Sequence, residues 1–391
     1  MLKEIMFKVG ASVLLLAVAT GPAAAQRPAD PVPQVTSGNF HTCGISGAKT
    51  YCWGSGEEGQ LGNGDSADQN TPVQVRAPGG AVFTQLAAGG YHTCGISGAK
   101  TYCWGSAGDG QLGNGGTANQ NTPVQVRAPR GVVFTQLAAG SAHTCGISGT
   151  NAYCWGVNFA VGDGGTANQL TPVQVRAPGG VVFTRLAAGG YHTCGISGAK
   201  TYCWGYGLDG ALGDGGTASR LTPVQVRAPG GVVFTRLAAG GSHTCGISGT
   251  RTYCWGLGND GRLGNGGTAS QNTPVQVRAP GGVVFTQITA GGAQTCGISG
   301  TRTYCWGDGT YGGLGDGATA SRTTPARVRA PGGVVFTQIT AGTAHACGIS
   351  GTRTYCWGYG DNGQLGNGGN VDRWTPVQVR ASEGLHAAHR R

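Results

Sequence analysis

Apolar residues in this chain fall in short bursts of four to six, each closed by Gly, Ser or Asn, and no stretch keeps a helical spacing. Between residues 132 and 176 the bursts are Val132-Val133-Phe134-Thr135-Gln136-Leu137, His143-Thr144-Cys145-Gly146-Ile147, Ala152-Tyr153-Cys154-Trp155-Gly156 and Pro172-Val173-Gln174-Val175-Arg176. They are rich in β-branched and aromatic residues, which predicts four strands. Ala138-Ala139-Gly140-Ser141 reads as a turn. Ser148-Gly149-Thr150-Asn151 reads as a type II′ hairpin, with Gly at its first central position. A long Gly-rich loop precedes the fourth strand, whose leading Pro suits an outer edge.

The same unit recurs seven times. The hairpin from Cys43 to Gly54 returns from Cys94, Cys145, Cys194, Cys245, Cys296 and Cys347, 51 residues apart, with 49 between the third and fourth copies. A fixed period of this length marks units that bury their apolar faces only against neighbours. Seven hairpins and seven outer strands are present, but only six full copies of the Val-Val-Phe-Thr run; residues 30–35 are expected to supply the seventh. No polar capping repeat is present, which a solenoid would need. The expected fold is therefore all-β, a closed seven-bladed β-propeller.

The hairpin fixes a register. In the second copy a two-residue loop at Gly98-Ala99 pairs Ser97 with Lys100, Ile96 with Thr101, Gly95 with Tyr102 and Cys94 with Cys103. The closing pair is hydrogen-bonded, so the cysteines face each other on a non-hydrogen-bonded pair, where α-carbons are closest. Seven bridges follow: Cys43–Cys52, Cys94–Cys103, Cys145–Cys154, Cys194–Cys203, Cys245–Cys254, Cys296–Cys305 and Cys347–Cys356. Tyr102 and Trp104 are expected to cover Gly95 and Thr93 on the partner strand.

Composition refines this picture. Gly is 78 of 391 residues, but at fixed positions beside Trp, Leu and Val, so it marks turns and close packing instead of disorder. Lys3 and Lys8, an apolar run from Val9 to Ala19 and Ala23-Ala24-Ala25 have the layout of a secretory signal peptide. We assign 1–25 to that leader, 26–381 to the propeller and 382–391 to a short polar tail. Export agrees with fourteen cysteines in even pairs. No later apolar run is long enough for a membrane span. The expected location is the periplasm or medium, and the expected state a monomer.

Gly-x-x-His-Thr-Cys-Gly-Ile, Tyr-Cys-Trp-Gly and Gly-Gln-Leu-Gly-Asn-Gly followed by Thr-Pro-Val-Gln-Val resemble the repeats of the RCC1 (regulator of chromosome condensation) superfamily, over about residues 34–381. The resemblance is greatest to its cysteine-bearing bacterial secreted members. It implies a seven-bladed propeller. Function stays open, because members include a nuclear guanine-nucleotide exchanger for a small GTPase, chromatin binders and secreted β-lactamase-inhibitory propellers. The exchanger uses a protruding insertion in one blade; no repeat here is lengthened, and the third is shortened around Phe159.

Candidate chemistry is sparse. His41, His92, His143, His192, His243 and His345 share one repeat position, with Gln294 in the sixth copy. They read as anchors of backbone at the blade start, set too far apart to share a metal. The glycine-rich run 110–116 lacks the strand before it and helix after it that a phosphate cradle needs, and Leu112 in it reads as a plug. The Asp-Gly pairs at 109 and 260 lack the alternating ligands of a calcium loop and read as turns. We expect no enzyme activity, no metal and no cofactor.

Charge then separates by strand parity. Hairpin turns and Arg-Ala-Pro links fall on one face, with Lys49, Lys100, Lys200, Arg251, Arg302, Arg353 and Arg130 beside the link arginines Arg76, Arg127, Arg176, Arg227, Arg278, Arg329 and Arg380. The long loops fall on the other face, with thirteen acids against four arginines. Two surfaces are therefore candidates: a basic face for anionic envelope polymers, lipid headgroups or nucleic acid, and a long-loop face for a protein. On the second, departures from the repeat offer Phe159, Tyr206, Tyr311, Tyr359 and Trp374 as anchors. The leading expectation is an exported protein-interaction scaffold, with an inhibitor of an extracellular enzyme and an anion binder as alternatives.

Overall fold

The computed structural model describes residues 34–380; the leader and the tail lie outside them. Seven four-stranded antiparallel sheets are each built from contiguous sequence, at 34–74, 85–125, 136–174, 185–225, 236–276, 287–327 and 338–378. In blade 1 the strands run outward as β1 (Gln34–Ser37), β2 (His41–Ser46), β3 (Lys49–Gly54) and β4 (Gln69–Gln74). The hairpin register is as expected, with Cys94 opposite Cys103 and Gly95 opposite Tyr102. Gly149 opens its turn at φ 57°, a conformation that costs Gly little.

Two strand boundaries move. Val132-Val133-Phe134-Thr135 is a connecting segment, and the inner strand of blade 3 is Gln136–Ala139, so the two alanines read as turn belong to it. The run is apolar because Phe134 is buried between blades, 5.4 Å from Trp155 and 6.0 Å from Tyr153. The same Phe, and not Tyr or Trp, covers the strand glycine: a Cβ at Gly146 would lie 2.6 Å from Phe134 Cδ1. The outer strand starts earlier, at Gln169, which places Pro172 inside the edge strand. Its polar start hid it, because an outer strand buries little.

The ring closes by packing. Gln34–Ser37 pairs within blade 1, and residues 30–33 lie outside the described chain. Gln338 Nε2 donates to Val35 O, and Val35 N donates to Gln338 Oε1. Gln34 repeats this pairing on Leu86 of blade 2. At the channel mouth a circle of backbone bonds runs from blade to blade, from Asn39 N to Gly90 O onward, until Thr343 N donates to Asn39 O. The core forms seven clusters, six of them with a Phe–Trp contact. The seam between blades 7 and 1 has Val35, Trp53 and Leu365 but no Phe among the described residues.

Candidate functional site

The repeated histidines are latches between blades. His41 Nε2 lies 2.9 Å from Thr93 Oγ1 of the next blade, and Thr93 Oγ1 donates to Gln60 O. Since the threonine proton is committed to that carbonyl, the histidine must donate through Nε2. Trp104 Nε1 donates to the same carbonyl, so one loop carbonyl of blade 1 holds two side chains of blade 2. The motif passes round the ring to His345, whose Nε2 lies 2.9 Å from Thr42 Oγ1 of blade 1. Burial, reinforced by neighbouring histidine charge, depresses His41, His92 and His143 to about 3. His243 and His345 also fall to about 3, and His192 to about 4. All are neutral imidazoles at neutral pH. The seam between the sixth and seventh copies departs twice: Gln294 replaces the histidine, and Ala346 of the seventh replaces the threonine it would meet. Gln294 Nε2 instead donates to His345 O at 2.8 Å.

These paired changes define an exchange. Thr244→Ala alone strands the His192 Nε2–H and should cost about 1–3 kcal/mol. Adding His192→Gln rebuilds the blade 6 arrangement and should recover at least half of that loss. A double-mutant cycle in urea measures the coupling.

The long-loop face carries the aromatics. Antiparallel order puts the turns between inner and second strands on the same end as the long loops. Phe40 and Tyr91 lie in those turns, and four rings join across three seams: Tyr91–Phe40 at 6.3 Å, Phe40–Tyr359 at 6.0 Å and Tyr359–Tyr311 at 4.9 Å. A second group, Phe159, Tyr191 and Tyr206, spans blades 3 and 4 with centroids 6.1–6.4 Å apart. Phe159 sits on a single turn, α1 (Asn158–Val161), where Val161 takes over the buried plug that Leu112 makes in blade 2. Tyr311 is 45% exposed and held at φ 62°, where the equivalent residues Asp209 and Asp260 are small and polar. Trp374 stays apart on the outer rim, against Gly312. Thus four of the five expected anchors fall into two groups. Phe40, Tyr91 and Tyr191 complete them.

The link arginines depart from the expected basic face. All seven are exposed, but each folds along the outer rim onto the long loop of its own blade. A Cβ at Gly64 would lie 2.8 Å from Arg76 Nη1, and one at Gly368 2.8 Å from Arg380 Nη1. Arg127, Arg176, Arg227, Arg278 and Arg329 lie in the same way against Gly115, Gly164, Gly215, Gly266 and Gly317. The cause is the hydrogen bond from Arg76 N to Gly62 O, which brings the loop back beside the link. Positive charge is therefore shared between the rim and the hairpin turns. Clefts of about 480–690 Å³ open between turn and link, as between Lys100, Arg127 and Arg130.

The tandem blades, their Gly-rich loops and the Trp seams define a repeat propeller, and comparison with known proteins gives its family. The chain matches the Regulator of chromosome condensation (RCC1) repeat at residues 49–96, 100–147, 151–196, 200–247, 251–298, 302–349 and 353–389, and it belongs to that family. It is 31% identical over 353 residues to the ultraviolet-B receptor UVR8 of Arabidopsis thaliana, covering 88% of this chain and 69% of that one. It is 32% identical over 187 residues to the human E3 ubiquitin-protein ligase HERC2, 46% of this chain but 4% of that protein. Among solved structures, yeast RCC1 (Prp20) bound to Kap60 aligns with TM-score 0.75 at 20% identity, covering 94% of this chain and 92% of that one. Human WBSCR16 aligns with TM-score 0.76 at 19% identity, covering 85% and 94%. Both confirm the fold.

Proposed function

We propose that the protein is an exported, disulfide-stapled RCC1-repeat scaffold that holds a protein partner on its long-loop face. The arc Tyr91–Phe40–Tyr359–Tyr311 carries this reading. A ring of equal blades offers a partner no unique surface, and this arc is the larger of the two aromatic groups, with four rings joined across three seams. Exposed rings are favoured interface anchors. Yeast RCC1 was solved with Kap60, and another study of Prp20p describes binding to Gsp1p and histones; that use of the fold supports a binding role here. Nucleotide exchange is not part of the reading, since no long loop exceeds its neighbours in length. Export is supported by the leader-like residues 1–25 and by seven disulfides; the described residues contain no helix long and apolar enough to cross a membrane. A scaffold of this kind needs no cofactor and acts as a monomer.

The test is chemical crosslinking of the exported protein in its own culture, with captured partners identified by mass spectrometry. Tyr91→Ser/Tyr311→Asn/Tyr359→Ser should lose the partner, and charge reversal at Arg127, Arg176 and Arg227 should keep it. The opposite pattern would favour the second reading, an anionic polymer held in the clefts between turn and link. Loss of an extracellular enzyme's activity on adding the wild type would specify the scaffold as an inhibitor.

A further inference from the structure

The aromatic arc lies where the long loops are almost purely acidic. The loops of blades 7, 1 and 2 carry seven carboxylates, and the only cation in them or the adjoining outer strands is Arg373. The ion pairs on this face fall in blades 4, 5 and 6: Asp214–Arg220, Asp260–Arg262 and, in the blade that carries Tyr311 at the end of the arc, Asp316–Arg322. Among the described residues the carboxylates of blades 7, 1 and 2 form no ion pair, although the link arginines Arg76, Arg127 and Arg380 lie against the same loops.

Two of these acids are not needed for folding the loop. Asp68 and Asp372 each accept the N–H that opens their long loop, from Gly56 and Gly360 at 2.9 Å. In the other five blades Asn119, Asn168, Ser219, Ser270 and Ser321 accept the same bond without a charge. The charged form occurs only in blades 1 and 7, under the arc. Burial and the neighbouring Asp361 carboxylate raise the Tyr359 hydroxyl above its usual range. Burial raises the Asp372 carboxyl above its usual range, and the nearby Asp361 charge adds to this against the Gly360 N–H. Exposed ring faces interleaved with unmatched carboxylates bind one kind of group well. A guanidinium or ammonium stacks on the ring and donates charge-assisted hydrogen bonds to the carboxylates.

We propose that the arc and its carboxylates form a seat for an arginine- or lysine-bearing segment of the partner, with Tyr359, Asp361 and Asp372 at its centre. The inference rests on the long-loop face being the working surface and specifies the chemistry of what binds there.

Fluorescence anisotropy of the exported protein with a labelled peptide of four Arg-Gly repeats tests it. The same peptide with citrulline in place of arginine is the control, at about 0.15 M salt to suppress diffuse attraction. The arginine peptide should bind at least about tenfold tighter than the citrulline peptide. Tyr91→Ser/Tyr311→Asn/Tyr359→Ser and Asp361→Asn/Asp372→Asn should each weaken it by about tenfold or more. Tyr206→Ser, in the other aromatic group, should not. Each replacement is a residue that another blade carries at that place, Asn259 being the counterpart of Asp361, and the melting temperature reports whether folding is kept. Equal affinity for the two peptides, or an arginine affinity unmoved by both arc variants, overturns the proposal. If the arginine peptide fails to bind while the aromatic variant still loses its crosslinked partner, the seat is wrong and the scaffold reading stands.

Discussion

Acidification from pH 7 to about pH 5 should unfold this protein cooperatively, with uptake of close to six protons. Six latch histidines are neutral in the fold, with values depressed from 6.5 to about 3, or about 4 for His192. In the unfolded chain they titrate near 6.5, so between these limits the unfolded state holds more protons. Their contribution is whole above pH 6.5 and is lost as pH falls toward the folded values. Each costs about 1.4 kcal/mol per pH unit in that window. Six together approach about 8 kcal/mol per unit, comparable to the entire stability of a typical domain. Circular dichroism melts from pH 7.5 to 4.5 measure the effect, and His192→Gln/Thr244→Ala should lower the slope by one proton. A melting temperature level across that range would show that the histidines are not the buried neutral latches described.

Reduction should have the second large effect. All seven predicted bridges form, with Cα–Cα distances of 4.0–4.1 Å, and every cysteine is inaccessible to solvent. Each closes a short ring worth about 2–3 kcal/mol of unfolded-state entropy. Seven sum to on the order of 15–20 kcal/mol, beyond what a marginally stable fold can lose. The native protein should therefore resist thiol reductant and alkylation until denaturant opens it. Residues 26–391 made in a reducing cytosol should be insoluble, whereas the exported form should be soluble. Recovery of a cooperatively melting, fully reduced propeller would contradict this.

The parts of the fold legible in the sequence are those set by local geometry. A two-residue hairpin dictates its own register, so the pairing of Cys94 with Cys103 followed from counting. The Val-Val-Phe-Thr run misled because strand-like residues there serve a seam between blades, as Phe83 does over Trp104. The latch was half visible. The histidines stood out, but their threonine partners lie 50–52 residues away in most blades, in the same motif one copy later. The paired loss of histidine and threonine at Gln294 and Ala346 was the available signal. Parity placed the link arginines on a face but could not show that each side chain turns back onto a glycine of its own loop. For the aromatics, Tyr359 and Tyr311 were evident as departures from the repeat. Phe40 and Tyr91 join them only because the turn before each histidine shares their end of the sheet.

The most direct test of the account is site-specific photo-crosslinking in the exported protein. A photoreactive phenylalanine analogue replaces Tyr91 or Tyr359 on the long-loop face, or Lys100 or Lys200 on the hairpin turns. The account predicts one protein adduct shared by positions 91 and 359 and absent from 100 and 200. Adducts from 100 and 200 alone would place the working surface on the opposite face and contradict it.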